Sequence, residues 1–195
     1  MKSICVFCGS NMGKEMVYHE KAFALGKLLA KNNITLVYGG ANIGLMKVLA
    51  DAVISLGGNV EGVMPGMLVD KEIAHQNLTK LHIVDSMHER KLLMAQLSDA
   101  FIAMPGGFGT LDELAEVFTW IQLEIINKPC AIFNVNGYFD HLISFLDHSV
   151  NERFLRHEHR NNIIIDSDEN RLLEKIIFFD PIPVDSKWVD ELKLK

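Results

Sequence analysis

The sequence predicts an α/β fold, a doubly wound, Rossmann-like parallel sheet with helices on both faces. Three observations carry this. Short apolar runs alternate with helix-period segments along the chain, which is the pattern of strand-helix units and a parallel sheet. Glycine-rich turns follow three of the runs, at Gly9-Ser10, Gly39-Gly40-Ala41-Asn42-Ile43-Gly44 and Pro105-Gly106-Gly107-Phe108-Gly109. The 195 residues are 49% apolar and 23% charged, enough for one full hydrophobic core.

In chain order, Ser3 to Cys8 reads as the first strand, with a helix from about Lys14 to Lys31 whose apolar stripe is Ala22, Phe23, Leu25, Leu28 and Leu29. Thr35 to Tyr38 is the second strand, and its helix runs to about Leu56, where Gly57-Gly58 stops it. Val60 to Met64 is the third; Met67 to Asn77 after it is a polar segment suited to a loop or short helix over a site. Lys80 to Val84 precedes a helix opened by Ser86-Met87-His88-Glu89, a capping box. Ala100 to Met104 is followed by a helix over Leu111 to Ile126. Pro129 to Phe133, a helix over Phe139 to Val150, and a strand at Ile163 to Asp166 complete the series. We place one domain over 1–180 and a loosely packed tail over 181–195.

Net charge −6 gives no basic surface for nucleic acid. No apolar run reaches the roughly 18 residues that span a bilayer, and no signal-peptide pattern opens the chain, so the expected location is the cytoplasm. Cys5, Cys8 and Cys130 suit a reducing compartment. Cys5 and Cys8 fall within a strand, where residues three apart face opposite ways, which argues against a redox pair.

In doubly wound sheets ligands bind at the carboxyl ends of strands, and all three glycine turns fall there. They converge on one crevice suited to a phosphorylated, nucleotide-like ligand, held by free N–H groups at the start of a helix. No P-loop lysine and no convincing dinucleotide fingerprint is present, and Asp51 comes too early to be the ribose-binding acid, which disfavours a redox cofactor. The eight histidines lack metal-ligand spacing, and no Gly-x-Ser-x-Gly elbow occurs. Arg90 and Glu113 remain as candidates for chemistry, with Glu72 and Asp112 behind them. Thr110-x-x-Glu113 also fits a capping box with no chemical role. Against that, the stripe Leu111, Leu114, Ala115, Phe118, Ile121 and Ile125 turns Glu113 away from the core toward the mouth of the site. A second strip, Val117, Trp120, Leu123 and Ile126, points to a homodimer contact.

Pro105-Gly106-Gly107-Phe108-Gly109-Thr110-Leu111-Asp112-Glu113 closely resembles the PGGxGTxxE signature of the Lonely guy (LOG) family, the cytokinin riboside 5′-monophosphate phosphoribohydrolases. Met87-His88-Glu89-Arg90-Lys91 resembles a second family element, and Arg90 and Glu113 stand 23 residues apart in the family manner. Similarity extends through Cys8-Gly9-Ser10, Gly39-Gly40 and Gly44-Leu45-Met46 to Asn134-Val135-Asn136-Gly137-Tyr138. This chain departs from the pattern at Ala41 and Lys47, where the family usually has glycine.

The resemblance implies hydrolysis of the N-glycosidic bond of AMP or of an N6-modified cytokinin riboside 5′-monophosphate, giving free base and ribose 5-phosphate without a cofactor or metal. It implies Arg90 and Glu113 as catalytic residues. It implies Gly9, Ser10, Gly39, Gly40, Met87, Lys91, Gly106, Gly107, Gly109 and Thr110 as substrate-binding residues. Glu113 would stabilise positive charge on the ribose and could orient water; Arg90 would neutralise the phosphate or orient Glu113 and the base. Met12, Met64 and Met94 are candidate liners of the base pocket. Family members have often been labelled lysine decarboxylases, but the sequence offers no convincing pyridoxal phosphate site. The competing reading is a nucleotide-binding sensor or carrier without catalysis; a phosphate-releasing hydrolase would want a metal or P-loop lysine that is not found.

Overall fold

The computed structural model describes residues 1–69 and 74–184. Seven strands, β1 (Ser3–Phe7), β2 (Thr35–Tyr38), β3 (Val60–Pro65), β4 (Lys80–Val84), β5 (Ala100–Ala103), β6 (Cys130–Phe133) and β7 (Ile163–Asp166), form one sheet. Its order is β4-β3-β2-β1-β5-β6-β7, and every pairing is parallel. The fold is therefore the doubly wound α/β class expected from the sequence. The strand order reverses between β1 and β5, where Ile4 aligns with Ala100 and Phe7 with Ala103. The crevice of such a sheet opens beyond the carboxyl ends of these two strands.

The helices are α1 (Met16–Lys31), α2 (Gly44–Ser55), α3 (Gly66–Val69), α4 (Met87–Leu97), α5 (Phe108–Gln122), α6 (Asp140–Asn151), α7 (His157–Asn161) and α8 (Glu169–Ile177). Alternation along the strands sorts the core into two layers. Ile4, Val6, Leu36, Ala100, Ile102 and Phe133 face α1, α2 and α8. Cys5, Phe7, Val37, Phe101 and Ile132 face α4, α5 and α6. Cys5 and Cys8 consequently lie in different layers, both as buried free thiols, in agreement with the expected geometry.

The structure corrects several sequence expectations. In α1, Ala22, Leu25 and Leu29 are buried, but Phe23 is exposed with the Lys27 ammonium 5.2 Å from its ring centre. The helix expected over Leu111 to Ile126 runs instead from Phe108 to Gln122, with Gly107 as its N-cap. It buries Thr110, Glu113, Leu114 and Val117. Leu111 and Ile125 of the expected buried stripe are exposed, and Val117 of the expected dimer strip belongs to the core. The earlier start sets the phase: the tight turn after β5 presses Thr110 inward against Gly106, and the residues three, four and seven on follow it onto the sheet.

Helices α7 and α8 are additions to the expected series. The Asp168 carboxylate caps α8 by accepting from the N–H groups of Asn170 and Arg171, and Leu172, Leu173 and Ile176 bury its apolar side. The described part of the expected tail, 181–184, includes Ile182, which exchanges two hydrogen bonds with the Asn162 side chain; the rest lies outside the described residues. No helix among the described residues is long and apolar enough to cross a membrane.

Candidate functional site

Three glycine turns meet at the switch point. The Gly9 N–H donates to the Pro105 carbonyl at 3.0 Å, and the Gly9 carbonyl accepts from the Leu45 N–H at 3.0 Å. A single residue, two positions beyond β1, thus ties the loop after β5 to the first turn of α2. Packing at Gly106 leaves no room for a side chain, since a methyl group there would sit 2.8 Å from the Gly9 nitrogen and 2.9 Å from the Thr110 Cβ. The close approach of the two loops therefore requires glycine. Gly107, Gly109 and Phe108 stand at the open start of α5, whose Gly107 cap makes no side-chain hydrogen bond. The first-turn N–H groups and the positive end of the helix dipole are left for an anion.

The crevice beside this loop holds about 240 Å³ and is lined by Gly9, Ser10, Met46, Arg90, Gly107, Gly109, Thr110 and Glu113, among others. A second hollow of about 220 Å³ shares Gly9, Ser10 and Gly107 with it and adds Tyr18, Leu45, Gly106 and Tyr138. Larger hollows exist at the opposite end of the sheet, around Lys128, His159 and Asn162, ahead of β6 and β7. They lack the converging glycine loops and the nearly buried arginine–carboxylate pair found here, and volume alone does not make a site.

Arg90 comes from α4 and Glu113 from α5. The Arg90 Nη1 lies 3.2 Å from the Glu113 Oε1, with both side chains nearly buried. Arg90 is fixed further by donation from Nε to the Val63 carbonyl at 3.1 Å, and its guanidinium lies against Gly39, where a methyl group would overlap it. Burial pushes the Glu113 carboxyl above the ordinary glutamate value, and the Arg90 charge opposes that rise. This is a desolvated carboxylate held beside a fixed cation, a pairing that costs stability and suits chemistry on a developing charge.

The same geometry removes the capping reading of Thr110 and Glu113. Thr110 is the third residue of α5 rather than its cap, and Glu113 engages Arg90. By contrast, Ser86 does cap α4: its hydroxyl accepts from the Glu89 N–H, while the Glu89 carboxylate reaches one residue beyond the cap and accepts from the Asp85 N–H.

Other sequence candidates are placed differently. Lys91 points to α5, 3.1 Å from both the Asp112 and Glu116 carboxylates. Desolvation alone would lower its pKa, but the two carboxylates raise it, so the amine stays charged and engaged. Lys91 and Asp112 therefore clamp α4 to α5 rather than line the crevice. Met87 is exposed at the first position of α4, outside the lining of either hollow. Met64 and Met94 are core residues and Met12 is exposed; Met46, which the methionine reading passed over, is the one that lines the crevice. Its place in Gly44-Leu45-Met46 was the available signal. Gly40 acts through its backbone, its carbonyl accepting from the His75 N–H at 2.9 Å. Ala41, one departure from the family pattern, bridges to Ala74, and Lys47, the other, pairs with Asp51, so both serve the scaffold of the second turn. Glu72 lies outside the described residues. Among the described residues no three His, Cys, Asp or Glu side chains gather in a metal-binding group.

Comparison with known proteins adds four findings. Residues 46–176 match the family model described as "Possible lysine decarboxylase". A cytokinin riboside 5′-monophosphate phosphoribohydrolase of Arabidopsis thaliana is 40% identical over 198 residues, covering 100% of this chain and 87% of that protein. One from Rhodococcoides fascians is 45% identical over 168 residues, covering 86% and 85%. Among solved structures, the molybdenum cofactor binding protein of Rippkaea orientalis superposes with a TM-score of 0.69 at 21% identity, covering 91% of this chain and 96% of that one. That last likeness is one of fold.

Proposed function

We infer what this chain does from the family to which it belongs, the cytokinin riboside 5′-monophosphate phosphoribohydrolases of the LOG family. It is a hydrolase that cleaves the N-glycosidic bond of a cytokinin riboside 5′-monophosphate to free base and ribose 5-phosphate. The observation that carries the residue-level reading is the buried Arg90–Glu113 pair lining the same crevice as the glycine loop. The 5′-phosphate sits at Gly106, Gly107, Gly109 and Thr110, where it meets the first-turn N–H groups of α5. Anchoring there brings the ribose to Glu113.

As the bond between C1′ and the base nitrogen breaks, positive charge grows on the ribose, and the Glu113 carboxylate stabilises it. Glu113 also orients the water whose oxygen bonds to C1′ and whose proton is passed on to balance the departing base. Arg90 opposes the rise that burial imposes on the Glu113 carboxyl, favouring its ionised form, and directs its unused N–H groups to the substrate. A pyridoxal-dependent decarboxylase has no support in this arrangement: among the described residues no lysine lines either hollow, and the Lys91 amine is held by two carboxylates.

The test is chromatography of the purified protein incubated with AMP, N6-isopentenyl-AMP and adenosine. Base from the monophosphates but not from adenosine is expected, and the ratio of the first two gives the base preference. Nucleotide binding without base release would overturn the hydrolase in favour of a sensor or carrier.

A homodimer through α5 remains part of this reading, on a revised surface. Leu111 and Leu123 of α5 and its flanking loop are exposed, as are Phe108 beside the crevice and Leu92 on α4. Large apolar side chains left exposed along one helix and its neighbour favour burial against a second copy. Sedimentation equilibrium should give the dimer mass; a monomer at micromolar concentration would remove the proposal.

A further inference from the structure

The run Asn134–Tyr138 is marked out in the sequence, yet the reaction above makes no use of it. After β6 the Asn134 side chain organises a turn: its Oδ1 accepts from the Phe139 N–H at 2.8 Å and its Nδ2 donates to Asp140 Oδ1 at 2.7 Å. Asn136 and Gly137 follow with φ of 53° and 69°, two left-handed residues in succession, and the Tyr138 N–H closes the turn on the Val135 carbonyl at 3.0 Å. The reversal carries Tyr138 back across the strand ends to the loop after β5. There its hydroxyl donates to the Gly106 carbonyl at 2.6 Å, while its ring meets Tyr18 and Phe139 edge to face, with centroids 6.0 and 5.0 Å away.

We propose that Tyr138 is a positioning residue for phosphate binding, acting through the Gly106–Gly107 peptide. In a trans peptide the carbonyl and the following N–H point in opposite directions. Holding the Gly106 carbonyl on the Tyr138 side therefore aims the Gly107 N–H away from Tyr138, toward the chamber that contains Arg90 and Glu113. The restraint is needed because both residues flanking this peptide are glycines, free to turn, and a side chain at Gly107 would touch nothing within 4 Å. The Gly9 N–H fixes the carbonyl one residue earlier, at Pro105, so Gly9 and Tyr138 orient successive peptides of the loop. The role rests on the reading of this loop as a phosphate site.

The test is Tyr138→Phe, which keeps the ring packing and deletes the hydroxyl. One hydrogen bond of ordinary worth corresponds to about a 3- to 10-fold change in affinity. The Kd for ribose 5-phosphate by calorimetry, and the KM for the monophosphate substrate, should rise by about that factor, with kcat and the melting temperature nearly unchanged. A purely structural role would lower the melting temperature and kcat and leave the ratio of ribose 5-phosphate affinities near one. An unchanged Kd, a fall in kcat at constant KM, or a wild type that does not bind ribose 5-phosphate overturns the proposal. A wild type that binds ribose 5-phosphate but releases no base refutes the hydrolase reading alone, and the Kd ratio still judges Tyr138.

Discussion

Replacing Gly39 with alanine separates the geometry of the site from the stability of the fold. Gly39 follows β2, and a methyl group there would overlap the Arg90 guanidinium while lying 3.3 Å from its Cζ and 3.4 Å from the Met46 sulfur. Backbone and core are untouched, so the only part that must move is the far end of Arg90. That end is held by the Val63 carbonyl at 3.1 Å and Glu113 at 3.2 Å, and both contacts loosen when it moves. The loss is partly offset by the lower entropy of the unfolded chain, so the net stability change should stay within about 1 kcal/mol.

Activity should respond far more strongly. A displacement of roughly 1 Å in a catalytic constellation costs about 100-fold, equivalent to about 2.7 kcal/mol of barrier. With the Arg90 charge farther away, burial of Glu113 goes less opposed, so the acid limb of the pH profile should also move upward. The assay is base release from the monophosphate as a function of pH, alongside a thermal melt. Gly39→Ala with full kcat/KM and an unshifted acid limb would refute the claim that Arg90 must be held where it is. A melt that collapses in step with activity would do the same.

Glu113→Gln should reduce kcat by on the order of 10²- to 10³-fold, the usual cost of removing one preorganised electrostatic group, and near-normal turnover would end the mechanism. Because burial raises the Glu113 pKa against the opposition of Arg90, wild-type kcat/KM should fall on the acid side with a midpoint above the ordinary glutamate value, a limb absent from the variant. The sign for stability follows: a carboxyl with a raised folded pKa favours the fold at low pH, and that contribution is lost as pH rises through the folded pKa. Melts across that range should show the wild type declining relative to Glu113→Gln. Asp166 has the opposite sign. Burial would raise its pKa, but Arg171 and Lys175, each 2.8 Å away, and the Asp168 N–H bring it well below the carboxylate range. Its contribution should be present above the unfolded pKa and lost as pH falls through the folded one, and Asp166→Asn should cost about 2 kcal/mol at neutral pH, read by chemical denaturation.

Much of the molecule was legible beforehand because its signals are local. Most of the strands are short apolar runs bounded by turn residues, β4 with Lys80 and His82 being the most mixed, and Ser86 with Glu89 announces the start of α4. Where the reading failed, the sequence carried competing signals. The α5 segment has apolar residues on more than one side, so Leu111, Leu114, Ala115 and Val117 could not by themselves say which side meets the sheet. Helix α8 depended on the Asp168 cap and three apolar residues in a polar segment, too short a pattern to stand out.

The sequence by itself determined the class of fold and the three glycine turns at strand ends, and it singled out Arg90 and Glu113 as candidates for chemistry. Those follow from period, turn chemistry and motif, all of which are properties of neighbours in the chain. Only the tertiary structure decided that Glu113 is buried and pairs with Arg90 instead of capping α5, that Lys91 turns aside to Asp112 and Glu116, and that Tyr138 reaches Gly106. Each of these is a contact between separate strand-helix units. Their direction is set by how α4, α5 and the turn after β6 are rotated when they pack on the sheet, and that rotation is fixed by the packed core as a whole.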